Sequence, residues 1–165
     1  MTSTILPAPS RNTLPLPLAG SEQQALAAIA ALSAPDILGD HRERMGWLHW
    51  ACVMDLGRAA EALIARGADP KAPNSDGNTP LRLACMNGSA AAGLAVAFFE
   101  SSDELASIIL AGRHYEACNA GDSALKARHQ EFEHAMLFVL ASREAADIAL
   151  SAMDATARTR PTRAL

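Results

Sequence analysis

Residues 67–84 read GADPKAPNSDGNTPLRLA, and this run contains signals for a helix end, a tight turn and a helix start. Gly67 allows the left-handed conformation that often closes a helix. Two prolines then keep the chain extended, because proline cannot continue a helix. Asp76-Gly77 is a frequent tight-turn pair, and Pro80 suits the first turn of a helix. The run therefore predicts two helices joined by a turn-containing loop.

The helix start in this run has a second copy earlier in the chain. Residues 46–52 (GWLHWAC) match residues 79–85 (TPLRLAC) position by position, 33 residues apart. Leu48 corresponds to Leu81. These residues resemble ankyrin repeats, in which Gly-Ala-Asp closes one repeat and Thr-Pro-Leu-His-x-Ala opens the next. Only the His of that motif differs, since Arg82 stands in its place.

The resemblance implies an all-α fold, an ankyrin-like helical solenoid of helix-turn-helix repeats joined by β-turn finger loops, with helical caps. We expect residues 1–20 to be a disordered, proline-containing arm, and residues 158–165 a flexible tail. The repeat domain then spans residues 21–157. Ser21 and Gln24 form a capping box. It predicts a helix over residues 22–32, with Leu26, Ile29 and Ala30 on one face, that caps the stack.

Each repeat is expected to contain an inner and an outer helix. For the first repeat we predict helices near residues 47–54 and 58–66, and for the second an inner helix at residues 80–87. A third, weaker copy begins at Ser123-Ala124-Leu125. It predicts an inner helix near residues 123–131 and an outer helix near 133–141, followed by a helix at 143–157 that covers the open end of the stack.

The third copy starts later than the repeat period allows. It lies 44 residues after the second copy, which implies about eleven inserted residues. Residues 102–112 align with the outer helix of the first repeat, so the insertion falls at about 88–101. Either the inner helix is longer by about three turns or an extra helix is present.

Composition limits the classes of function. The chain has 165 residues and a net charge of −4, which argues against nucleic-acid binding because that needs a basic surface. No stretch is long and apolar enough for membrane insertion, and residues 14–20 are a poor secretory signal because prolines interrupt them. Three cysteines indicate no disulfide framework, and we expect Cys52 and Cys85 to be buried because they occupy equivalent repeat positions that normally hold a small buried residue. We predict a cytoplasmic monomer.

Two pairs of side chains could in principle carry chemistry. His49 and Cys52 are three residues apart and could form a thiol–imidazole pair, but no third orienting group is visible. His114 and Cys118 have the spacing of two zinc ligands on a helix, but Gly112 indicates that the helix has ended. No phosphate-binding or nucleophile motif is present. We therefore predict no enzyme activity, no cofactor and no metal.

The resemblance implies protein–protein recognition on a concave face built from finger turns and inner helices. Repeat positions predict the partner-facing residues Arg42, Glu43, Met45, Val53, Met54, Ser75, Asp76, Asn78, Met86, Asn87, Asn119, Asp122, Gln130 and Glu131. An alternative is a bacterial secreted effector, or the immunity partner that inhibits a toxin, because the chain is rich in Ala and Arg and begins with an arm. A small enzyme with its site in the insertion is a third alternative.

Three further features have two interpretations each. Phe98 and Phe99 face different directions on a helix, so either one packs in the core or the pair provides an exposed aromatic anchor. Trp50 is either buried between repeats or available to a partner. Residues 40–44 (DHRER) are either a solvated turn or a finger tip that contacts a partner.

Overall fold

A computed structural model describes residues 21–32, 45–118 and 121–158, with side chains described as far as residue 152. Within these ranges all regular structure is helical and no strand occurs, which confirms the predicted all-α class. The helices are α1 Glu22–Ala31, α2 Trp47–Val53, α3 Gly57–Ala65, α4 Pro80–Asn87, α5 Ala90–Ala97, α6 Ser102–Cys118 and α7 Ser123–Arg158. The predicted arm (residues 1–20), most of the tail and residues 33–44 lie outside the described residues.

The helices form two layers. Helices α2, α4 and α6 lie side by side in an inner layer, and α1, α3, α5 and α7 lie side by side in an outer layer. Across the layers, α2 packs on α3, α4 on α5, and α6 on α7. Helix α1 packs on α3 as an outer helix at the N-terminal end, as the sequence predicted. The arrangement is a solenoid of three helix pairs that begins with one additional outer helix.

The capping box predicted at the start of α1 is present. The Ser21 hydroxyl accepts a hydrogen bond from the Gln24 amide, and the Gln24 side chain accepts one from the Ser21 amide. The buried face of α1 is formed by Ala25 and Ile29. The prediction for Ala30 is wrong, because Ala30 is exposed. Among the described helices α1 packs mainly on α3, and Ala25 and Ile29 are the residues buried there.

The finger between α3 and α4 is organised by Asn74, which is buried. Its side-chain oxygen accepts hydrogen bonds from the amides of Asp76 (3.0 Å) and Asn78 (2.9 Å). Gly77 adopts a φ of 77°, in the left-handed region that favours glycine. Thr79 then caps α4 by accepting from the Arg82 amide at 3.3 Å. These contacts fix the shape of the turn that the sequence predicted.

The segment 88–101 contains a helix of the second pair. Gly88, with a φ of 61°, closes α4 and reverses the chain. Helix α5 follows at once and packs on α3 in the outer layer, while α6 packs beside α4 in the inner layer. The alignment of residues 102–112 with an outer helix is therefore wrong. Of the two predicted alternatives, a longer inner helix or an extra helix, the structure contains the extra helix. This helix, α5, completes the second pair.

The predicted division of the C-terminal region into three helices is also wrong. Residues 123–158 form the single helix α7, 36 residues long. His129, Phe132, Met136 and Val139 are buried at helical spacing along one face of α7. This apolar stripe packs against α4, α5 and α6, so α7 is the outer helix of the third pair. The helix does not fold back over the open end of the stack, because it continues in the same direction past residue 143.

A close approach of backbone and ring joins the second pair to the third. A Cβ atom at Gly93 would lie 2.6 Å from the Phe132 ring, a distance that real Cβ atoms do not reach. Phe132 is 0% exposed and is one of the largest fully buried side chains. Glycine at position 93 therefore makes the space in α5 that the aromatic ring of α7 occupies.

Arginines from neighbouring outer helices cap two helix C-terminal ends. The Arg66 side chain, just after α3, donates to the carbonyl of Ile29 in α1. The Arg143 side chain of α7 donates to the carbonyls of Ala97 and Phe98 at the end of α5, both at 3.1 Å. Carbonyls at a helix end lack intrahelical partners, and a cation there also interacts favourably with the helix dipole. The two contacts thus tie adjacent outer helices together.

Candidate partner-binding surface

Two exposed methionines lie on neighbouring inner helices. Met54 follows the last residue of α2 and Met86 lies in the last turn of α4, and both side chains are exposed. Val53 and Asn87 are half-buried beside them, and Met45 is half-buried just before α2. Helix α2 packs against α4, and both methionines lie at the C-terminal ends of these two helices.

The finger adds polar groups to this side. Ser75 and Asp76 are exposed at the tip, whereas Asn78 is half-buried where it contributes to the turn. We call Met54, Met86, Ser75 and Asp76 the inner surface. Arg82 is also exposed on α4, one turn before Met86. Arg82 is not among the predicted partner-facing residues, although its position four residues before Met86 on the same helix indicates that the two side chains are neighbours.

The residues predicted for the third unit do not join the inner surface. Asp122 caps α7, since its carboxylate accepts from the amides of Ala124 and Leu125, each at 3.0 Å. Gln130 and Glu131 lie on α7, in the outer layer, and not on an inner helix. Their predicted location is wrong because residues 123–131 begin an outer helix. Arg42, Glu43 and Asn119 lie outside the described residues.

The exposed aromatic pair lies where the next finger would be. Residues 98–101 connect outer helix α5 to inner helix α6, just as the finger connects α3 to α4. Phe98 and Phe99 are both exposed, so the interpretation that one of them packs in the core is wrong. Glu100 forms an ion pair with Lys71 of the finger segment at 3.5 Å. This contact places the aromatic turn next to the base of the finger.

Trp50 belongs to the core side of the inner layer. It is half-buried and packs against the buried cluster, as the interpretation of burial between repeats predicted. His49 is buried in the same helix. The large apolar area of Trp50 therefore contributes to stacking of α2.

The buried thiols are poor nucleophiles. Burial raises the pKa of the Cys85 thiol to about 11, while the charge of Arg82 acts in the opposite direction. The Cys85 thiol also donates to the carbonyl of Ile108 at 3.4 Å. Burial, reinforced by Asp55, raises the pKa of Cys52 as well. Both side chains therefore remain neutral thiols at ordinary pH, and neutral thiols are not reactive nucleophiles.

The His114–Cys118 pair is formed on one continuous helix. Gly112 lies within α6, so the expectation that the helix ends there is wrong. The Cys118 sulfur lies 3.6 Å from His114 Nε2, and both side chains are exposed. Among the described residues, no group of three or more His, Cys, Asp or Glu could hold a metal ion. Two ligands alone do not define a zinc site.

Stacked helix pairs with an inner layer, an outer layer and a finger between pairs define a solenoid repeat protein. Residues 48–97, which span most of α2 through α5, match the family model for ankyrin repeats in many copies. This segment of the chain is similar to ankyrin repeats. No curated protein and no solved structure matches the chain. Ankyrin repeats are generally protein–protein interaction modules and typically have no catalytic activity.

None of the helices described is long and apolar enough to cross a membrane.

Proposed function

We propose that the chain binds a partner protein through the inner surface. The observation that supports this most directly is the exposure of Met54 and Met86 at the ends of neighbouring inner helices, one of which follows the finger directly. Methionine adapts its flexible side chain to irregular apolar surfaces, which makes it well suited to binding. Ser75 and Asp76 would supply polar contacts that set specificity.

Phe98 and Phe99 extend the proposed surface along the row of finger positions. Aromatic side chains are enriched among the residues that contribute most to binding. The pair is exposed, and the ion pair between Lys71 and Glu100 holds the turn against the finger segment. We therefore include both phenylalanines in the partner-binding site. The proposed surface combines apolar and polar side chains, as protein interfaces commonly do.

The test starts with affinity capture by the full-length chain, followed by mass spectrometry to identify a bound protein. Met54→Ala, Met86→Ala, Asp76→Ala and Phe98→Ala are then compared for affinity by isothermal titration calorimetry. We expect at least one substitution to weaken binding more than about tenfold, because a few residues usually dominate an interface. All four positions are exposed, so circular dichroism and the melting temperature should change little.

Arg58→Ala and Glu61→Ala are the matched controls. Both side chains are exposed on α3, in the outer layer. They should leave the affinity unchanged. If these variants weaken binding while the four inner variants do not, the partner uses the outer layer and the proposal is wrong.

Narrower roles are proposed on the sequence alone. A bacterial secreted effector and an immunity protein that inhibits a toxin are both consistent with the Ala- and Arg-rich composition and the proline-containing arm. The captured partner distinguishes them: a host protein supports the effector role, and a toxin supports the immunity role. Cytoplasmic localisation likewise stays a prediction, which fractionation of the source cells would test.

A further inference from the structure

Helix α7 carries two apolar stripes on different faces. The first is the buried stripe that packs on the preceding helices. The second stripe consists of Phe138, Ala141, Ala145 and Ile148, all of which are exposed. Its residues follow one another at alternating spacings of three and four. This alternation is the a/d pattern by which one helix packs lengthwise on another. The second stripe is therefore suited to receive a helix.

The exposed stripe runs onto a part of α7 that extends beyond the body of the stack. Arg143 contacts the end of α5, and from Glu144 to Ser151 every residue is exposed. Phe138 is 61% exposed and Ile148 is 71% exposed. A helical segment without tertiary packing is only marginally stable in water. Packing of the stripe against another helix would stabilise this extension.

The stripe continues onto α6. Arg113 and Glu133 join α6 to α7 through a hydrogen bond of 2.9 Å, and this carboxylate raises the pKa of Arg113. The Arg113–Glu133 and Glu116–Gln130 contacts show that the two helices run antiparallel, so Leu110 and Leu137 each lie one turn beyond Arg113 and Glu133 in the same direction. Both leucines are exposed, Leu110 by 64%. We call Leu110, Leu137 and the exposed stripe of α7 the end face.

The end face continues the stacking interface of the solenoid. The equivalent side of the second pair is covered by α6 and α7. Leu110, Leu137, Phe138 and Ile148 are 64, 42, 61 and 71% exposed, which with the alanines between them corresponds to roughly 500 Å² per copy for side chains of about 150–250 Å². Complete burial of two such faces would remove about 1,000 Å² from solvent, the lower limit for a specific interface. An exposed apolar patch of this size commonly marks an interaction site.

We propose that a second copy of this chain covers the end face, with the two α7 helices antiparallel about a two-fold axis near residue 143. In that register Phe138 of each copy faces Ile148 of the other, and Ala141 faces Ala145. The small alanines allow close approach of the helices, and the large side chains fill both ends. Residues 134–142 contain no Asp, Glu, Lys or Arg, so this part of α7 has no like charges to oppose self-association.

The test is sedimentation velocity on the full-length chain at protein concentrations from about 1 to about 100 µM, a range that covers dissociation constants of ordinary homodimers. We expect a dimer whose dissociation constant rises at least tenfold for Phe138→Glu and for Ile148→Glu. Ser151→Glu is the matched control, because Ser151 is exposed on the same extension but lies off the stripe. Unchanged circular dichroism would establish that the variants fold.

A cross-linking experiment tests the register. Ala141→Cys and Ala145→Cys are prepared separately in a Cys118→Ser background, which removes the exposed thiol. A mixture of the two variants should form a disulfide-linked dimer faster than either variant alone. Equal rates would overturn the antiparallel register.

Four results would overturn the proposal of self-association through this face. The first is a monomer at every concentration, and the second is a dimer that tolerates both glutamate substitutions. The third is concentration-dependent growth beyond the dimer, which indicates head-to-tail packing. The fourth is a dimer that forms only after deletion of residues 1–20, which would show that the arm covers the end face.

Discussion

The ankyrin segment α2–α5 and the C-terminal pair α6–α7 belong to the same two layers but differ in helix length and in the segment that precedes or joins their helices. The first has helices of seven to nine residues and a long finger. The second follows a turn of only four residues and has helices of 17 and 36 residues. Yet α6 continues the inner layer and α7 the outer layer. Position in the stack therefore depends on the packing surface and not on the repeat motif.

Close helix approach at small residues is common to both regions. A Cβ atom at Gly57 would lie 3.0 Å from the Ala91 side chain, where α3 meets α5. A Cβ atom at Gly93 would meet Phe132, where α5 meets α7. The outer helices thus pack closely at both interfaces, but the second also inserts a large ring. The buried Phe132 gives α7 an anchor that does not require the ankyrin motif.

The largest effect is expected at this anchor. Replacing Phe132 by Ala should lower the free energy of unfolding by about 3–5 kcal/mol, because a fully buried aromatic ring leaves a cavity. Urea denaturation with circular dichroism detection measures the change. Glu131→Ala is the matched control on the same helix, since Glu131 is exposed and lies outside the end face, and it should cost about 0.5 kcal/mol or less. Equal effects at the two positions would mean that α7 does not dock as described.

Repeat equivalence in the first region predicts the next largest effect. Leu48 and Leu81 are buried at matching positions of α2 and α4. Truncating either one to Ala should cost about 2–5 kcal/mol in thermal or urea unfolding. Ser107→Ala is the control in α6, where the serine is exposed and lies outside the end face. A small cost at either buried leucine would contradict the register of the two repeats.

A smaller effect is expected at the helix N-terminal ends. The Asp55 carboxylate accepts from the Ala92 amide at 3.1 Å in the first turn of α5, as the Glu22 carboxylate accepts from the Arg58 amide at 2.8 Å in α3. Asp55→Ala should destabilise the fold by about 1–2 kcal/mol through loss of this cap. Asp55→Asn keeps an acceptor and tolerates the positive φ of 55° at this position, so it should cost less. If Asp55→Ala and Asp55→Asn unfold at the same urea concentration, the side chain at position 55 does not stabilise the fold as a cap of α5.

The smallest expected effect is the change in folding stability with pH that arises from the buried thiols. The folded-state pKa of Cys85 is raised from 9.0 to about 11, so the unfolded chain loses this proton first as the pH rises. The contribution of the neutral thiol to the free energy of unfolding is therefore fully present below pH 9 and should be lost progressively as the pH rises toward 11. Urea midpoints across this range measure the loss, which should be smaller in Cys85→Ala. At neutral pH a thiol reagent should label the exposed Cys118 and leave Cys52 and Cys85 unlabelled in the folded chain.

The sequence predicted α1 to α4 well because local signals mark their ends. Ser21 with Gln24, Thr79 with Pro80, and Gly67 each have a physical role that the structure retains. The finger could also be predicted from the sequence, because local signals mark its turn. Local hydrogen bonds and backbone conformation decide these boundaries, and both follow from residue type.

The third pair was misassigned because its signals are not local. Helix α5 is covered by α3 on one side and α7 on the other, so its sequence has no polar face and shows no helical periodicity. Because residues 123–127 are similar to a repeat start, the inner helix of the third pair was predicted near residues 123–131, whereas it is α6. Because of this error, Gln130 and Glu131 were predicted on an inner helix although they lie on α7, and the position of Phe98 and Phe99 beside the finger was not predicted.

The central claim is that α6 and α7 form one cooperative stack with the ankyrin segment, and native-state hydrogen exchange tests it most directly. Amides of residues 129–139 in α7 should exchange with about the same free energy of opening as those of α4, because Phe132 packs α7 against Gly93 of the second pair. Exchange of residues 129–139 at a free energy several kcal/mol below that of α4 would show that the C-terminal pair opens independently, which would contradict the account.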